Sequence, residues 1–268
     1  MKISRDDREC PWLADIPTEN ISIDPMLSMD FSDILRHGCL VGSLARLVSE
    51  KMGEGEEFRR EISIAGTFHD IGKLKLGRYL YGRKKDSLNI EEMKYVRMHP
   101  TFSYNILKKN GNFSENIINA VYAHHENYDG SGYPNNLKGD EIPKMARIIR
   151  TCDVFVALVS KRPYRAEFEI ETAIELMIDE VKNFDMKVFL AFQQIVNGPE
   201  LAVVKKRIDY FNNIHKMTAG HFAEEIPGAV AERILTDSSD VSKPTGSPDE
   251  SSEAVTGSPN GTSGAVAV

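Results

Sequence analysis

The apolar residues of this chain recur at helical spacing along almost its whole length, and this periodicity limits the fold more than any other feature. Within a stripe, residues three and four apart lie on one face of a helix. Such stripes occupy residues 40–48, 58–68, 90–96, 117–122, 145–159, 173–181, 188–196 and 201–211. We find no convincing run of the alternating pattern that half-buried strands show. The sequence therefore predicts an all-α bundle of about eight helices.

Two segments depart from this periodicity. Residues 126–143, ENYDGSGYPNNLKGDEIP, form one long irregular stretch between predicted helices. A structureless loop of this length inside a compact domain is usually functional. Residues 236–268 are rich in Ser, Thr, Gly and Pro, contain no aromatic residue and carry the sequence TGSP twice. Because such a segment cannot bury a core, we expect a disordered tail.

Charge, apolar runs and cysteine usage narrow the environment of the protein. The formal net charge of -7 argues against binding to long nucleic acids, which requires a basic surface. No stretch approaches the ~18 consecutive apolar residues of a membrane span, and no signal peptide is recognisable. The three cysteines, Cys10, Cys39 and Cys152, lie far apart and form no CxxC pair. We therefore expect a cytoplasmic protein without disulfides or a membrane partner.

Histidines and acidic residues are placed at the ends and on the faces of several predicted helices. Taken singly, a histidine at a helix end often only interacts with the helix dipole. Asp153 lies in the otherwise apolar run TCDVFVALV, where a carboxylate is costly unless it is paired or binds a metal. The set consists of His37, His69, His99, His124, His125, Asp33, Asp70 and Asp153. Side chains on several helices can converge in a bundle core, as in metal–carboxylate bundles, and imidazole with carboxylate suits Fe, Mn or Ni as well as Zn.

Two motifs in this set carry a resemblance to a known family. The segments HDIGK at 69–73 and HHENYDGSGYP at 124–134 resemble the signatures of the HD-GYP family of metal-dependent cyclic dinucleotide phosphodiesterases. The resemblance implies an HD-domain helical bundle with a metal site in its core. It divides the chain into a short N-terminal extension (1–26), a catalytic domain (27–200), a C-terminal helical extension (201–235) and the tail (236–268).

The resemblance also implies roles for individual residues. Asp70 would bridge two metals, and Asp70 and Lys73 would be the catalytic residues. The metal ligands would be His37, His69, Asp70, His99, His124, His125 and Asp153. Asp33 stands where some family members have a glutamate that holds a third metal, and it is one methylene shorter. Substrate would contact Lys73, Tyr133, Arg162 and Arg165; the ordinary interpretation of the arginines is a solvated helix end, and of Tyr133 a turn aromatic.

The function that the resemblance implies is hydrolysis of cyclic di-GMP to linear pGpG, with further cleavage to GMP left open. The cofactors would be two or three divalent metal ions, Fe or Mn, and a metal-bridging hydroxide would attack phosphorus. Three alternatives remain: hydrolysis of hybrid cyclic GMP-AMP, an HD-type nucleotide phosphohydrolase, and a catalytically weak module that binds cyclic dinucleotides. With only about 25 residues before the matching region, we expect regulation to come from a protein partner, the tail or the metal state.

Overall fold

The computed structural model describes the backbone of residues 25–76, 90–161 and 166–213. Side chains are described within these ranges except at 25–32, 90–92 and 211–213. Arg162, Arg165 and the tail at 236–268 therefore lie outside the described residues, and so does most of the predicted N-terminal extension.

Within the described ranges the chain is helical and contains no strand, which confirms the all-α prediction. The α-helices are α1 (Pro25–Lys51), α2 (Glu56–Phe68), α3 (Ile90–Val96), α4 (His99–Asn110), α5 (Glu115–Tyr122), α6 (Lys144–Val159), α7 (Ile170–Asp179), α8 (Met186–Val196) and α9 (Leu201–Asn213). Short 3₁₀ helices lie at Ile71–Leu76, Gly139–Glu141 and Val181–Asn183. No helix among the described residues is long and apolar enough to cross a membrane.

Helix α4 is the one described α-helix that the apolar periodicity does not predict. Its buried face begins with His99, Pro100 and Ser103, and the aliphatic residues Ile106 and Leu107 follow only in the second half. Because the first half of this buried face is polar, the sequence of α4 shows no continuous apolar stripe. Pro100 lies in the first turn, where its missing N–H costs nothing.

Helix α6 forms the centre of the molecule. Nearly all of its residues from Met145 to Val159 are buried, which makes it the central helix of the bundle. Helices α1, α2, α5, α7 and α8 pack around it. The histidine-bearing ends of its neighbours are thereby brought toward Asp153, which α6 carries at its middle.

Helices α1 and α2 cross at glycines. A Cβ atom added to Gly66 of α2 would lie 2.7 Å from Cα of Gly42 on α1, closer than real Cβ contacts. Because neither residue has a side chain, the two backbones can touch. This contact sets the separation of His37, one turn before Gly42 on α1, from His69, which follows α2.

Candidate metal centre

The structure brings together the seven side chains that the sequence singles out as metal ligands in the core. His37 comes from α1, Asp153 from α6, and His99 is the first residue of α4. The pairs His69–Asp70 and His124–His125 lie in the turns that follow α2 and α5. Apart from His37, which is partly buried, all of these residues are buried.

Three of the histidines are held by their own backbone. Nδ1 of His69, His99 and His124 lies 2.7, 2.7 and 2.6 Å from the carbonyl oxygen three residues earlier, on Gly66, Val96 and Val121. A carbonyl oxygen only accepts, so each Nδ1 carries the proton and donates it. The Nε2 atom of a neutral ring is then left with a lone pair, which is the form that binds a metal.

The Nε2 atoms of three histidines lie close together. Nε2 of His99 lies 3.1 Å from Nε2 of His124 and 3.1 Å from Nε2 of His125. Two nitrogen lone pairs at this distance repel unless a proton or a metal ion lies between them. Among the described residues, Nε2 of His69 and Oδ1 of Asp70 are buried without a hydrogen bond of normal geometry. The donor set therefore fits a metal ion.

Asp70 belongs to two groups of ligand atoms at once. It groups with His99, His124 and His125, and separately with His37 and His69, each group lying within 4.8 Å. Oδ1 lies 3.1 Å from Nε2 of His99, whereas Oδ2 lies 3.4 Å from Nε2 of His69. One carboxylate oxygen thus faces each group, which is the arrangement that a bridging carboxylate requires.

Asp153 lies beside His37 and His69. Its Oδ1 atom lies 2.8 Å from Nε2 of His37 and 3.5 Å from Nε2 of His69. This pairing explains how a buried carboxylate is tolerated on the otherwise apolar α6.

Both carboxylates remain ionised in this setting. Burial acts to raise the pKa of Asp70, but Lys73 and His69 outweigh it and hold the pKa well below its usual value. For Asp153, burial likewise acts to raise the pKa, but the neighbouring His37 and His69 outweigh it and hold the pKa well below its usual value. Ionised carboxylates are the form that coordinates divalent metals.

The histidines divide between two kinds of environment. Burial lowers the pKa of His124 and His125 well below the usual value, and neighbouring histidines add to the shift, so these rings are neutral. Burial also acts to lower the pKa of His69, but Asp70 and Asp153 outweigh it and raise the pKa above its usual value. The negative charge of the two carboxylates thus favours a positive charge beside them, which a metal ion can supply.

Comparisons with known proteins identify the family of this chain. The family model described as HD domain matches residues 22–188. The chain belongs to the HD-domain family. It is 39% identical over 132 residues to the cyclic di-GMP phosphodiesterase response regulator RpfG of Xanthomonas campestris pv. campestris (strain 8004), which is 49% of this chain and 35% of the relative. It is 33% identical over 162 residues to 3'3'-cGAMP-specific phosphodiesterase 3 of Vibrio cholerae serotype O1, which is 60% of this chain and 35% of the relative.

One solved structure shows the same fold at low sequence identity. Bd1817, a HDG"Y"P protein from Bdellovibrio bacteriovorus, superposes with a TM-score of 0.51 at 20% identity over 62% of this chain and 53% of that chain. The family-model match and the curated relatives confirm the resemblance predicted from the motifs, and this structure confirms the fold alone. The matches span about a third of the length of the two curated relatives.

Lys73 lies at the edge of the metal centre of this HD domain. Its Nζ atom is 2.6 Å from Oδ2 of Asp70, and 27% of its side chain is exposed. The ammonium group therefore touches the shared carboxylate and also reaches solvent. A phosphate oxygen that approaches the centre from outside would meet this charge.

Tyr133 packs against the metal centre from the long loop. Its ring stacks on His125 at 4.8 Å between centroids and 22° between planes, and the Arg97 guanidinium lies 5.2 Å from the ring centroid. With neighbours at its faces, Tyr133 has its ring edge and hydroxyl to offer a substrate. Burial raises the pKa of Tyr133 above its usual value, so the hydroxyl stays protonated and can donate.

Glu126 holds the loop in place, a role that the sequence analysis missed. Its buried carboxylate accepts hydrogen bonds from the backbone N–H of Asn135 at 2.6 Å and of Leu137 at 3.0 Å. The backbone N–H of Tyr133 donates to the carbonyl of His125 at 3.2 Å. No pattern in the sequence reveals these contacts, since they depend on how the loop folds back.

Arg150 is a second residue that the sequence analysis missed. It borders a cavity of about 460 Å³ that His125 and Tyr133 also line. The sequence could have identified it, because Arg150, like Asp153, is a charged residue among the apolar residues of α6.

The remaining predicted site residues are not part of the described centre. Asp33 is exposed over 48% of its side chain, forms an ion pair with Arg36 and belongs to neither ligand group. Arg162 and Arg165 lie outside the described residues, so their predicted roles stay predictions.

Proposed function

We propose that this HD domain is a metal-dependent phosphodiesterase that hydrolyses cyclic di-GMP to linear pGpG, with onward cleavage to GMP left open. The observation that carries the proposal is the position of Asp70, with one carboxylate oxygen facing each of two histidine groups. Paired metals that share a bridging ligand suit the in-line displacement at a phosphodiester. The relatives named as cyclic di-GMP and cGAMP phosphodiesterases support this substrate class.

We propose two divalent metal ions, Fe or Mn. His99, His124 and His125 would hold one, while His37, His69 and Asp153 would hold the other, with Asp70 between them. When bound, the metals would lower the pKa of water and offset charge at phosphorus. The exposed position of Asp33 gives a third metal little support.

The chain's own side chains would bind and orient the substrate. Lys73, in contact with Asp70 and open to solvent, would pair with a phosphate oxygen and stabilise negative charge that develops there. Tyr133 would donate a hydrogen bond from its hydroxyl to the same substrate molecule. Arg162 and Arg165 would hold the second phosphate as planar guanidinium forks.

Hybrid cyclic GMP-AMP is the second candidate substrate, because one of the matched relatives is named for it. An HD-type nucleotide phosphohydrolase is less favoured, since the loop that places Tyr133 against His125 has no evident use in simple monoester cleavage. A weak binding module is also less favoured, because Asp70 has one carboxylate oxygen facing each of two histidine groups.

The deciding experiment is metal analysis of anaerobically purified protein, followed by a product assay on cyclic di-GMP, cyclic GMP-AMP, cyclic di-AMP and guanosine tetraphosphate. We expect about two metals per chain and conversion of cyclic di-GMP to pGpG. Full activity with less than one metal per chain would overturn the two-metal proposal. Hydrolysis of guanosine tetraphosphate alone would favour the phosphohydrolase.

A further inference from the structure

The cavity beside the metal centre has the size and position of a ligand subsite. Its volume is about 460 Å³, within the range that small molecules occupy. His125 and Tyr133 form part of its wall, and Nε2 of His125 faces the metal ligands. A molecule in the cavity would therefore extend from the metal centre without a gap.

One wall of the cavity is apolar. Val154 and Leu158 of α6, Leu176 and Met177 of α7, and Phe184 contribute to it. All of them except Leu176 are buried. Apolar walls with a small number of polar groups are typical of sites for flat aromatic ligands, since a base can lose water there without leaving polar atoms unpaired.

Arg150, one turn before Val154 on α6, supplies a fixed donor group to the cavity. Its Nε atom donates to Oδ1 of Asn127 at 3.0 Å, which orients the guanidinium plane. This is the one hydrogen bond that the Arg150 side chain makes with the described residues. Its two terminal nitrogens are thus available to a ligand as a parallel pair of donors.

Glu180 supplies an acceptor in the same cavity. It follows α7 and borders the cavity together with Arg150. Oε2 of Glu180 accepts a hydrogen bond from Nδ2 of Asn183 at 2.9 Å, which restricts the carboxylate. The cavity therefore presents both a donor fork and an acceptor to one ligand.

We propose that this cavity is a guanine subsite in which Arg150 and Glu180 recognise two edges of the base. Guanine offers the acceptors O6 and N7 side by side, which is the pair that an arginine fork matches. It also offers the donors N1–H and N2–H₂, which a carboxylate accepts. Adenine has an amino group in place of O6 and no 2-amino group, so it satisfies neither residue fully. The inference rests on the proposed function, which supplies a guanine-containing substrate.

Binding of mononucleotides to the metal-loaded full-length chain tests this subsite without turnover. Isothermal titration should show GMP binding roughly 5- to 150-fold more tightly than AMP, the discrimination of one good bidentate contact. Arg150→Met keeps the length of the side chain but removes the donor fork, so GMP should fall to the AMP level while AMP is unchanged. Arg150→Lys should not restore the preference, because an ammonium has no fork. Equal binding of GMP and AMP to the unmodified protein would overturn the subsite.

Arg46→Met is the matched control, since Arg46 is an α1 surface residue paired with Glu56 and away from the cavity. It should leave both affinities and the metal content unchanged. If Arg150→Met instead weakened GMP and AMP equally, Arg150 would bind phosphate and the base-recognition role would be wrong.

A change in the ligand gives a test that needs no variant to fold. Inosine monophosphate keeps O6, N7 and N1–H but lacks the 2-amino group. It should bind the unmodified protein more weakly than GMP, because the Glu180 carboxylate then has one donor fewer to accept from. Equal binding of the two nucleotides to the unmodified protein would contradict the role of Glu180.

The subsite and the proposed function can fail separately. Hydrolysis of cyclic di-GMP by a protein that binds GMP and AMP alike would leave the function standing and overturn the subsite. If the protein cleaved no cyclic dinucleotide but preferred GMP through Arg150, the subsite would stand and the proposed function would be overturned.

Discussion

His69, His99 and His124 each donate from Nδ1 to a carbonyl three residues earlier in the chain. The last turn of the preceding helix, α2, α3 or α5, thus fixes both the tautomer and the direction of each ring. Ligand geometry is therefore set before any metal binds, which lowers the reorganisation that binding requires. Sequence alone identified these residues, because histidine at helix ends is visible there, but not the direction of their rings.

The shared carboxylate is the residue on which metal binding and turnover should depend together. Asp70→Ala removes the oxygen that faces each histidine group, so metal content and hydrolysis should both fall, with activity close to the uncatalysed level. Elemental analysis and a product assay on the same preparation check this. An Asp70→Ala protein that retained two metals and full turnover would show that Asp70 is not a ligand.

Arg162 and Arg165 should separate substrate binding from chemistry. Replacing either by alanine should keep the metals but lower kcat/KM for the cyclic dinucleotide by roughly 10- to 150-fold, the loss of one charge-assisted contact. Hydrolysis of bis(p-nitrophenyl) phosphate, which is too small to reach them, should be nearly unchanged. Loss of both activities would instead place the arginines in the catalytic centre or the fold.

Asp33 should be dispensable for the two-metal centre. Its side chain is half exposed and pairs with Arg36, so Asp33→Ala should leave the metal content intact and reduce activity by at most about 10-fold. Metal analysis and steady-state kinetics on the Asp33→Ala variant test this prediction. Loss of all metal from this variant would make Asp33 a primary ligand.

At the scale of elements, the histidine positions depend on how closely α1 and α2 approach α6 and on how α4 packs against the 3₁₀ helix Ile71–Leu76. Apolar periodicity predicted the described helices except α4, whose buried face opens with His99 and Ser103. It could not predict the glycine contact between α1 and α2, because a glycine in a helix has no apolar signature. Both the position of α4 and the contact between α1 and α2 are decided by packing against neighbouring elements, which the local sequence does not show.

The crossing of α1 and α2 gives a prediction with a definite sign. In an open helix, Gly→Ala stabilises by up to about 1 kcal/mol through helix propensity. A Cβ on Gly66 would collide with Gly42, so Gly66→Ala should instead destabilise by about 1–3 kcal/mol and reduce metal content. Thermal and urea unfolding measure the change in stability.

Gly55→Ser is the matched control for this substitution. Nothing lies within 4 Å of a Cβ at Gly55, and serine is a favoured residue at this N-cap of α2. The control should keep or raise the stability. A stabilised Gly66→Ala protein would show that the two helices do not meet closely in solution.

At the scale of the whole molecule, the predicted boundary at residue 200 lies between the predicted catalytic domain and helix α9, which packs on the bundle. Helix α9 begins at Leu201 and buries Val204 and Ile208 in the core, next to the ion pair of Lys51 with Glu200. The charge and composition of residues 236–268 predict a segment with no apolar stripe to bury.

Two truncations should therefore behave differently. Ending the chain after Leu235 should leave Tm and metal content unchanged, because it removes only the Ser- and Gly-rich tail. Ending it after Gly198 removes α9 and exposes the surface that Val204 and Ile208 cover, at about 1.5–3 kcal/mol for each side chain. The second truncation should lower Tm clearly, whereas a large fall in Tm after the first would assign the tail a packing role that its sequence does not predict.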